Sequence, residues 1–215
     1  MTQIDNGIID FKSELLRKSI HFCSLSIPII YYFITKEAAL SILIPLTLFT
    51  VIIDFSRFFF KPLNAIIQKV FGFLMREHEI DSRKKNLNGA SYVFIAATIT
   101  IWIFPKIIFI TAFTMLIICD IAAALIGRRY GKHKFLAKSL EGTLAFFIFS
   151  IFVVFLTPKA EGLWFEYFIG IIGGFVGAIF ENISYGWADD NLTIPISIGL
   201  TMWALYYFIS PNLIY

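Results

Sequence analysis

The first residue of this sequence that could do chemistry is a carboxylate inside an apolar run. Asp120 lies within "MLIICDIAAALIG", residues 115–127. A charge at the centre of a membrane span costs about 2.5–3.5 kcal/mol on an insertion scale, so such residues are usually functional, although a structural ion pair between helices is the alternative. Gly127 follows seven residues later, about 10 Å along a helix and on the same face. We therefore expect Asp120 to lie submerged, close to one mouth of its span.

A second carboxylate, Glu181, ends a stripe of small residues on one predicted helix face. The stripe contains Gly170, Gly174 and Gly177, and small residues allow helices to approach closely. Packing explains the glycines, within one chain or between two, but it does not explain the glutamate. We therefore assign catalysis to Asp120 and Glu181, with a structural role for Glu181 as the alternative.

Three polar side chains, Asp189, Asp190 and Asn191, come directly before the last apolar run. Carboxylates at this position are also ordinary helix-capping residues, and both interpretations stay open. Mg²⁺ prefers oxygen ligands and usually takes one or two carboxylates together with substrate phosphates. We predict Mg²⁺, or another divalent cation, with Asp120, Asp189 and Asp190 as metal ligands.

Two loops interleave cations with glycines, each ahead of a predicted helix. They are "DSRKKNLNGASY" and "GRRYGKHKFLAKSLEGT", beginning at residues 81 and 127. Glycine lets backbone amides approach phosphate oxygens, and helix N-termini favour anions. Retention of positive charge on one side of a membrane accounts for part of this charge. From these loops we assign phosphate binding to Lys85, Arg128 and Lys132.

The composition indicates which elements must position these residues. The chain of 215 residues is 58% hydrophobic and 15% charged, whereas soluble domains are about 45–50% apolar and about 25% charged. We predict an all-α polytopic membrane protein that forms a single catalytic domain over residues 1–215, with no nucleic-acid partner. The polar N-terminus has no cleavage site ahead of a short apolar core, so we expect no cleaved signal peptide.

Apolar runs predict seven membrane-spanning helices, because a span needs about 20 apolar residues. Between the second and third spans, residues 57–79 repeat apolar residues at helical spacing and predict an amphipathic helix in the membrane interface. The predicted spans are 19–34, 38–56, 89–105, 107–126, 142–157, 163–185 and 192–209.

The cations divide unequally between the two sides of these spans. Three precede the first span, seven lie between the second and third, and five follow the fourth, whereas the other side has only Lys36, Lys106 and Lys159. The richer side is expected to be cytoplasmic. This places the N-terminus inside, the C-terminus outside and every candidate site residue on the cytoplasmic face of a bacterial-type inner membrane.

Buried carboxylates beside glycine-flanked cations are suited to an anionic polyphosphate with Mg²⁺. Because the predicted pocket lies among membrane helices, the other substrate is expected to be a lipid. Phosphoryl transfer to a lipid hydroxyl needs neutralisation of phosphate charge and a carboxylate that orients or deprotonates the hydroxyl. His21, near the mouth of the first span, is either a phosphate ligand, a proton carrier or a packing residue.

The motifs "LLRKSIH", "NGASY", "DIAAALIGRRYGKHKF", "KSLEGT" and "FENISYGWADDNLTIP" occur in this order. The set resembles the CTP-dependent lipid kinases, which include dolichol kinase, phytol kinase and CTP-dependent diacylglycerol kinase, and it is distantly similar to phosphatidate cytidylyltransferase. The resemblance covers residues 14 to 200. It implies transfer of the γ-phosphoryl group of CTP to a membrane lipid alcohol, either an isoprenoid alcohol of the polyprenol or phytol type or diacylglycerol.

The resemblance also implies roles for particular residues. Asp120 and Gly127 match a signature of the D-x₂-A-x₃-G type, and Asp190 with Asn191 matches a "DN" before the last span. The remaining nucleotide-binding positions that it implies are Arg17, Lys18, Lys138, Ser139, Glu141 and Gly142.

Two other functions fit part of the pattern. A cytidylyltransferase would make a CDP-lipid from CTP and an acidic lipid, and it shares a loop like "KSLEGT". A transporter would use Asp120 and Glu181 as ion ligands. The polar residues gather at one mouth rather than near the midplane of several spans, which favours nucleotide capture.

Overall fold

The computed structural model describes residues 11–72, 87–184 and 189–213. A two-stranded antiparallel hairpin consists of β1 (Lys134–Phe135) and β2 (Lys138–Ser139). It lies between the helix that ends at Tyr130 and the helix that begins at Leu140. A 3₁₀ helix, Pro211–Leu213, follows the last α-helix. The α-helices of the described ranges are α1 (Phe11–Cys23), α2 (Ser26–Phe33), α3 (Lys36–Ser56), α4 (Lys61–Phe71), α5 (Gly89–Ile103), α6 (Lys106–Tyr130), α7 (Leu140–Leu156), α8 (Trp164–Ile183) and α9 (Asp190–Ile209).

The helices form an all-α membrane protein, as the composition predicts. Among the described residues, α3, α6, α8 and α9 are long and apolar enough to cross a membrane, while α5 and α7 are apolar but shorter. Large apolar side chains point outward, for example Phe33 (77% exposed), Leu156 (79%) and Phe208 (80%). A soluble monomer rarely exposes contiguous apolar surface on this scale, whereas a bilayer covers it.

The first predicted span, 19–34, is not one continuous helix. A turn at Ser24 and Leu25 separates α1 from α2, and the Ser24 carbonyl accepts from the Ile27 N–H at 3.0 Å. In a continuous helix that carbonyl would accept from residue 28, but Pro28 has no N–H to donate. The proline therefore explains the break.

Within the described residues, the predicted amphipathic segment corresponds to α4, which begins at Lys61 rather than at residue 57. Ile66 and Val70 are 61% and 50% exposed on α4. Pro62 lies in its first turn, where the missing N–H costs nothing because that donor has no partner within the helix. Residues 73–79 of the predicted amphipathic segment lie outside the described residues.

Helix α6 is the centre of the fold. Phe109, Phe113 and Leu116 on α6 are completely buried, and α6 packs against α1, α2, α7, α8 and α9. Helix α8 packs through its glycine stripe onto α7 and α9 of the same chain. A Cβ on Gly170 would lie 2.8 Å from Val154, and one on Gly177 would lie 2.6 Å from Ile198.

The three cations predicted on the far side of the membrane lie at helix ends. Lys36 donates to the Trp102 carbonyl at 2.7 Å, and Lys106 donates to the Ile34 carbonyl at 2.6 Å. Lys159 donates to the Thr157 carbonyl at 2.6 Å. Because the last carbonyls of a helix have no partner within it, these ammonium groups satisfy acceptors that would otherwise be unpaired.

Candidate active site

The carboxylate at the centre of the sequence prediction is paired with a distant lysine. Asp120 on α6 accepts a hydrogen bond through Oδ2 from Nζ of Lys18 on α1, a residue 102 positions away in the chain. Both are buried, with Asp120 3% and Lys18 4% exposed. One turn further along α1, Nε2 of His21 lies 3.8 Å from the same Asp120 oxygen. Two buried opposite charges and an imidazole therefore meet between α1 and α6.

A second buried carboxylate has the same kind of partner. Oε1 of Glu181 on α8 lies 2.5 Å from Nζ of Lys138 on β2, and Glu181 is 3% exposed. The Lys138 ammonium also lies 4.0 Å from Oδ2 of Asp190, in the first turn of α9. Lys138 thus joins β2, α8 and α9.

The two lysine–carboxylate pairs belong to one charged cluster. Burial alone would lower the pKa of the Lys138 ammonium, but the carboxylates of Glu181, Asp190 and Asp120 more than offset this effect and raise that pKa above its ordinary value. Lys138 is consequently protonated at neutral pH. The cluster draws its members from α1, α6, β2, α8 and α9: Lys18, His21, Asp120, Lys138, Glu181 and Asp190.

A buried asparagine holds the loop that carries Lys138. The Asn182 side-chain oxygen accepts from the backbone N–H groups of Ala137 and Lys138 at 2.8 and 3.0 Å. Its amide nitrogen donates to Thr143 Oγ1 at 2.7 Å. Asn182 is completely buried, so α8 both positions the hairpin and supplies the carboxylate that Lys138 meets.

The glycines of the basic loop bring α6, the hairpin and α7 into close contact. A Cβ on Gly127 would lie 2.9 Å from Ser139 Oγ, and one on Gly142 would lie 3.0 Å from the Ala123 carbonyl. Ser139 is the N-cap of α7, and its hydroxyl accepts from the Gly142 N–H at 3.2 Å. The structure therefore uses these glycines for packing; their predicted contact with phosphate stays a prediction.

Two arginines predicted to contact phosphate converge on one acidic residue. Glu14 on α1 lies 2.6 Å from Arg17 and 3.6 Å from Arg128 at the end of α6. Burial alone would raise the pKa of Glu14, but the neighbouring cations, led by Arg17, lower it to about 2. Glu14 is thus ionised and orients both guanidinium groups beside Lys18.

The remaining predicted phosphate ligands are less closely tied to the cluster. Glu141 accepts from the His133 ring at 2.7 Å, and Lys132 is exposed. Asn191 is 6% exposed, and its side-chain amide donates to Asp189 Oδ1 at 2.8 Å. Lys85 lies outside the described residues.

Only two of the three predicted metal ligands belong to the charged cluster. Asp189 caps α9 by accepting from the Asn191 N–H, while Asp120 and Asp190 belong to the charged cluster. No group of three His, Cys, Asp or Glu side chains placed to hold a metal ion occurs in the described part of the chain. The oxygen donors fit Mg²⁺ as one or two carboxylate ligands completed by substrate phosphates, which is its common mode of binding.

Comparison with known proteins decides the family. The chain is 30% identical over 156 residues to CTP-dependent diacylglycerol kinase 1 of Schizosaccharomyces pombe, covering 66% of this chain and 70% of that protein. It is also 36% identical over 97 residues to the phytol kinase of a Synechocystis species, covering 41% of this chain and 40% of that protein. The chain belongs to the CTP-dependent lipid kinase family. The resemblance to the CTP-dependent lipid kinases is thereby confirmed, and the protein is a lipid kinase, a phosphotransferase.

The lipid kinase is also 29% identical over 193 residues to an uncharacterized protein of Rickettsia prowazekii, with 89% of this chain and 94% of that protein aligned. No family model and no solved structure matches the chain. The roles of individual residues in this lipid kinase therefore rest on its sequence and geometry.

Sequence reasoning missed two residues that organise the candidate site of this lipid kinase. Asn182 directly follows Glu181, and Glu14 precedes Arg17 by three residues. An amide next to a buried catalytic candidate and a glutamate at i, i+3 spacing from an arginine were the available signals. Neither signal indicates which distant loop or helix the side chain reaches.

Replacing Gly127 with alanine is expected to destabilise this lipid kinase. The added methyl group would lie 2.9 Å from Ser139 Oγ and 3.4 Å from the Gly142 Cα, so relief requires moving the hydroxyl that caps α7. Such overpacking costs about 1–3 kcal/mol. Thermal unfolding of the purified protein in detergent should reveal a lower midpoint.

Gly72→Ala is the matched control. Among the described residues, a Cβ there would meet only Gln68 Cβ, at 3.9 Å, which is ordinary contact. We expect its unfolding midpoint to equal or exceed that of the unsubstituted protein. Equal midpoints for the Gly127 and Gly72 variants would contradict the packing role assigned to Gly127.

Proposed function

We propose that this protein transfers the γ-phosphoryl group of CTP to the hydroxyl of a membrane lipid alcohol, either diacylglycerol or an isoprenoid alcohol of the polyprenol or phytol type. The observation that carries the proposal is the pairing of two buried carboxylates with lysines: Asp120 with the buried Lys18, and Glu181 with the partly exposed Lys138. Burying carboxylates and a lysine in this way is costly and seldom improves stability over apolar packing. Binding a polyphosphate and accepting a proton are functions that require such charges.

The cations of the cluster and of the adjoining loop are proposed to hold the triphosphate. Positive charge placed before the reaction stabilises the negative charge that shifts onto the leaving diphosphate, without reorganisation at the moment of transfer. The proposed nucleotide-binding residues are Arg17, Lys18, Lys85, Gly127, Arg128, Lys132, Lys138, Ser139, Glu141, Gly142 and Asn191.

Asp120 is proposed to orient the lipid hydroxyl and accept its proton. The hydroxyl oxygen forms a bond to the γ-phosphorus as the bond from that phosphorus to the bridging oxygen breaks, and CDP leaves. A carboxylate has two oxygens and about four acceptor positions, so the hydrogen bond from Lys18 does not exhaust Asp120. Glu181 holds the Lys138 ammonium in place while this transfer occurs.

Magnesium, or another divalent cation, is proposed to be held by Asp120, Asp189 and Asp190 together with phosphate oxygens. Bound there, it would supply further positive charge to the β- and γ-phosphates.

The proposal also keeps the predicted topology: seven spans, an inner membrane of bacterial type, the N-terminus and site on the cytoplasmic side, and the C-terminus outside. The contacts of Lys36, Lys106 and Lys159 with carbonyls at helix ends, rather than with the charged cluster, support two sides of unequal charge.

A labelling experiment separates this proposal from its alternatives. Purified protein in detergent is incubated with Mg²⁺, a panel of diacylglycerol, polyprenol and phytol, and CTP labelled at either the α- or the γ-phosphorus. Label from the γ position, and not the α position, should enter one of the lipids. Transfer from the α position to an acidic lipid would instead identify CDP-lipid synthesis, and no transfer from CTP or ATP would contradict any kinase assignment.

A further inference from the structure

A groove on the surface of the described part of the chain reaches the charged cluster at Lys18. It lies between α1 and α6 and has a volume of about 210 Å³. Four of its lining side chains come from one face of α1, since they are spaced three or four residues apart, and two come from one face of α6. The lining residues are Leu15, Lys18, Ser19, Phe22, Ile121 and Leu125.

The wall of this groove is apolar except at Lys18 and Ser19. Leu15 and Phe22 are 46% and 53% exposed, so apolar side chains flank the opening of the groove. Lys18 closes the inner end, where its ammonium donates to the Asp120 carboxylate. Ile121 directly follows Asp120 in the chain. A molecule in the groove would therefore touch apolar side chains along its length and meet Lys18, the hydrogen-bond partner of Asp120, at its polar end.

This arrangement matches one kind of ligand. A lipid alcohol has an apolar chain attached to a hydroxyl, and the groove offers apolar walls that end at a carboxylate–ammonium pair. Its volume is smaller than that of typical pockets for small-molecule ligands, which measure about 300–1,000 Å³. The groove therefore accommodates only the part of the chain next to the hydroxyl and leaves the rest in the bilayer.

A larger groove elsewhere on the protein lacks this connection. It measures about 440 Å³ and is lined by residues including Tyr32, Ile110, Thr114 and Leu156. Ile110 precedes Asp120 by ten residues, which is about 15 Å along a helix. A hydroxyl bound there would be too far from the carboxylate to react.

We propose that the groove between α1 and α6 binds the hydrocarbon segment of the lipid alcohol next to its hydroxyl and delivers that hydroxyl to Asp120. The inference rests on the proposed function for the identity of the lipid. It adds Leu15, Phe22, Ile121 and Leu125 as the side chains that select the acceptor. Chain branching close to the hydroxyl is the property that these side chains would discriminate.

Photolabelling tests the location without requiring turnover. The unsubstituted protein in nanodiscs is irradiated with a diacylglycerol that carries a diazirine near the glycerol end of one acyl chain, and the adducts are mapped by peptide mass spectrometry. Adducts are expected within residues 15–22 and 121–125. Adducts concentrated at the larger groove, or spread evenly over the apolar surface, would overturn the proposal.

A substitution that fills the groove with a larger side chain gives an independent, kinetic test. Leu125→Trp is expected to raise the KM for diacylglycerol about tenfold, comparable to poor fit in an apolar pocket, while the KM for CTP is unchanged. Ile172→Trp is the control, because Ile172 is 45% exposed on α8 and does not line the groove. Equal lipid KM values for the two variants would overturn the groove assignment. Absence of γ-phosphoryl transfer by the unsubstituted protein would instead refute the proposed function, and the photolabelling result would still report on the groove.

Discussion

Asp120→Asn is expected to abolish phosphoryl transfer, with a loss of at least about a hundredfold in kcat/KM, because positioned general bases contribute about 10²–10⁴-fold. Asparagine keeps the shape of the side chain but cannot accept the hydroxyl proton. The measurement is γ-label transfer from CTP to the best lipid acceptor, normalised to the folded protein recovered after purification.

The single substitution also removes the partner of a buried ammonium. Lys18 is 4% exposed, and breaking a buried ion pair costs about 3–5 kcal/mol. The double variant Lys18→Met with Asp120→Asn removes both charges, so its unfolding midpoint is expected to recover relative to Asp120→Asn alone. Its activity is not expected to recover. A double variant with substantial activity would refute the assigned role of Asp120.

Glu181→Gln is expected to reduce kcat/KM about a hundredfold, the scale on which a misplaced catalytic group lowers rate. Without the Glu181 charge, the Lys138 ammonium loses its 2.5 Å partner and its position in the cluster. The protein is assayed for γ-label transfer and for thermal unfolding, so that activity and stability are measured on the same sample.

Helix α8 offers a matched control at its opposite end. Glu166 is also fully buried, but it accepts from the N–H groups of Ala160 and Leu163 at 2.6 and 2.9 Å and from the Tyr206 hydroxyl at 3.0 Å. Glu166→Gln places an amide donor against these donors and is expected to cost about 1–3 kcal/mol of stability with kcat per folded molecule unchanged. Equal losses of activity in both variants would mean that Glu181 is a structural carboxylate.

The helical elements were predictable because membrane spans are read from continuous apolar composition. The runs at 107–126 and 192–209 correspond to α6 and α9 within a few residues. The prediction of one continuous helix over 19–34 was wrong because apolar composition is insensitive to one missing hydrogen-bond donor: Pro28 cannot donate to Ser24, and the helix breaks at Ser24 and Leu25. The hairpin was not predicted, since two-residue strands have no periodicity to detect.

The candidate site was only partly predictable. A carboxylate among apolar residues is conspicuous in a sequence, and so Asp120 and Glu181 were identified with no knowledge of their partners. Asp189 illustrates the limit, since a carboxylate before a helix has the same sequence pattern whether it caps the helix or binds a metal, and in the structure it caps α9. The role of Asn182 depends on a hairpin 44 and 45 residues away.

The sequence by itself determined the class of the protein, its apolar helices and the residue types at its reactive end, because burial in lipid and the cost of a buried charge act on local composition. Only the tertiary structure decided which lysine meets which carboxylate, which glycines pack rather than line a loop, and where a groove reaches Asp120. Those outcomes depend on how α1, α6 and α8 pack across long separations in the chain. Such packing follows from the shapes of many side chains together, and no local pattern records it.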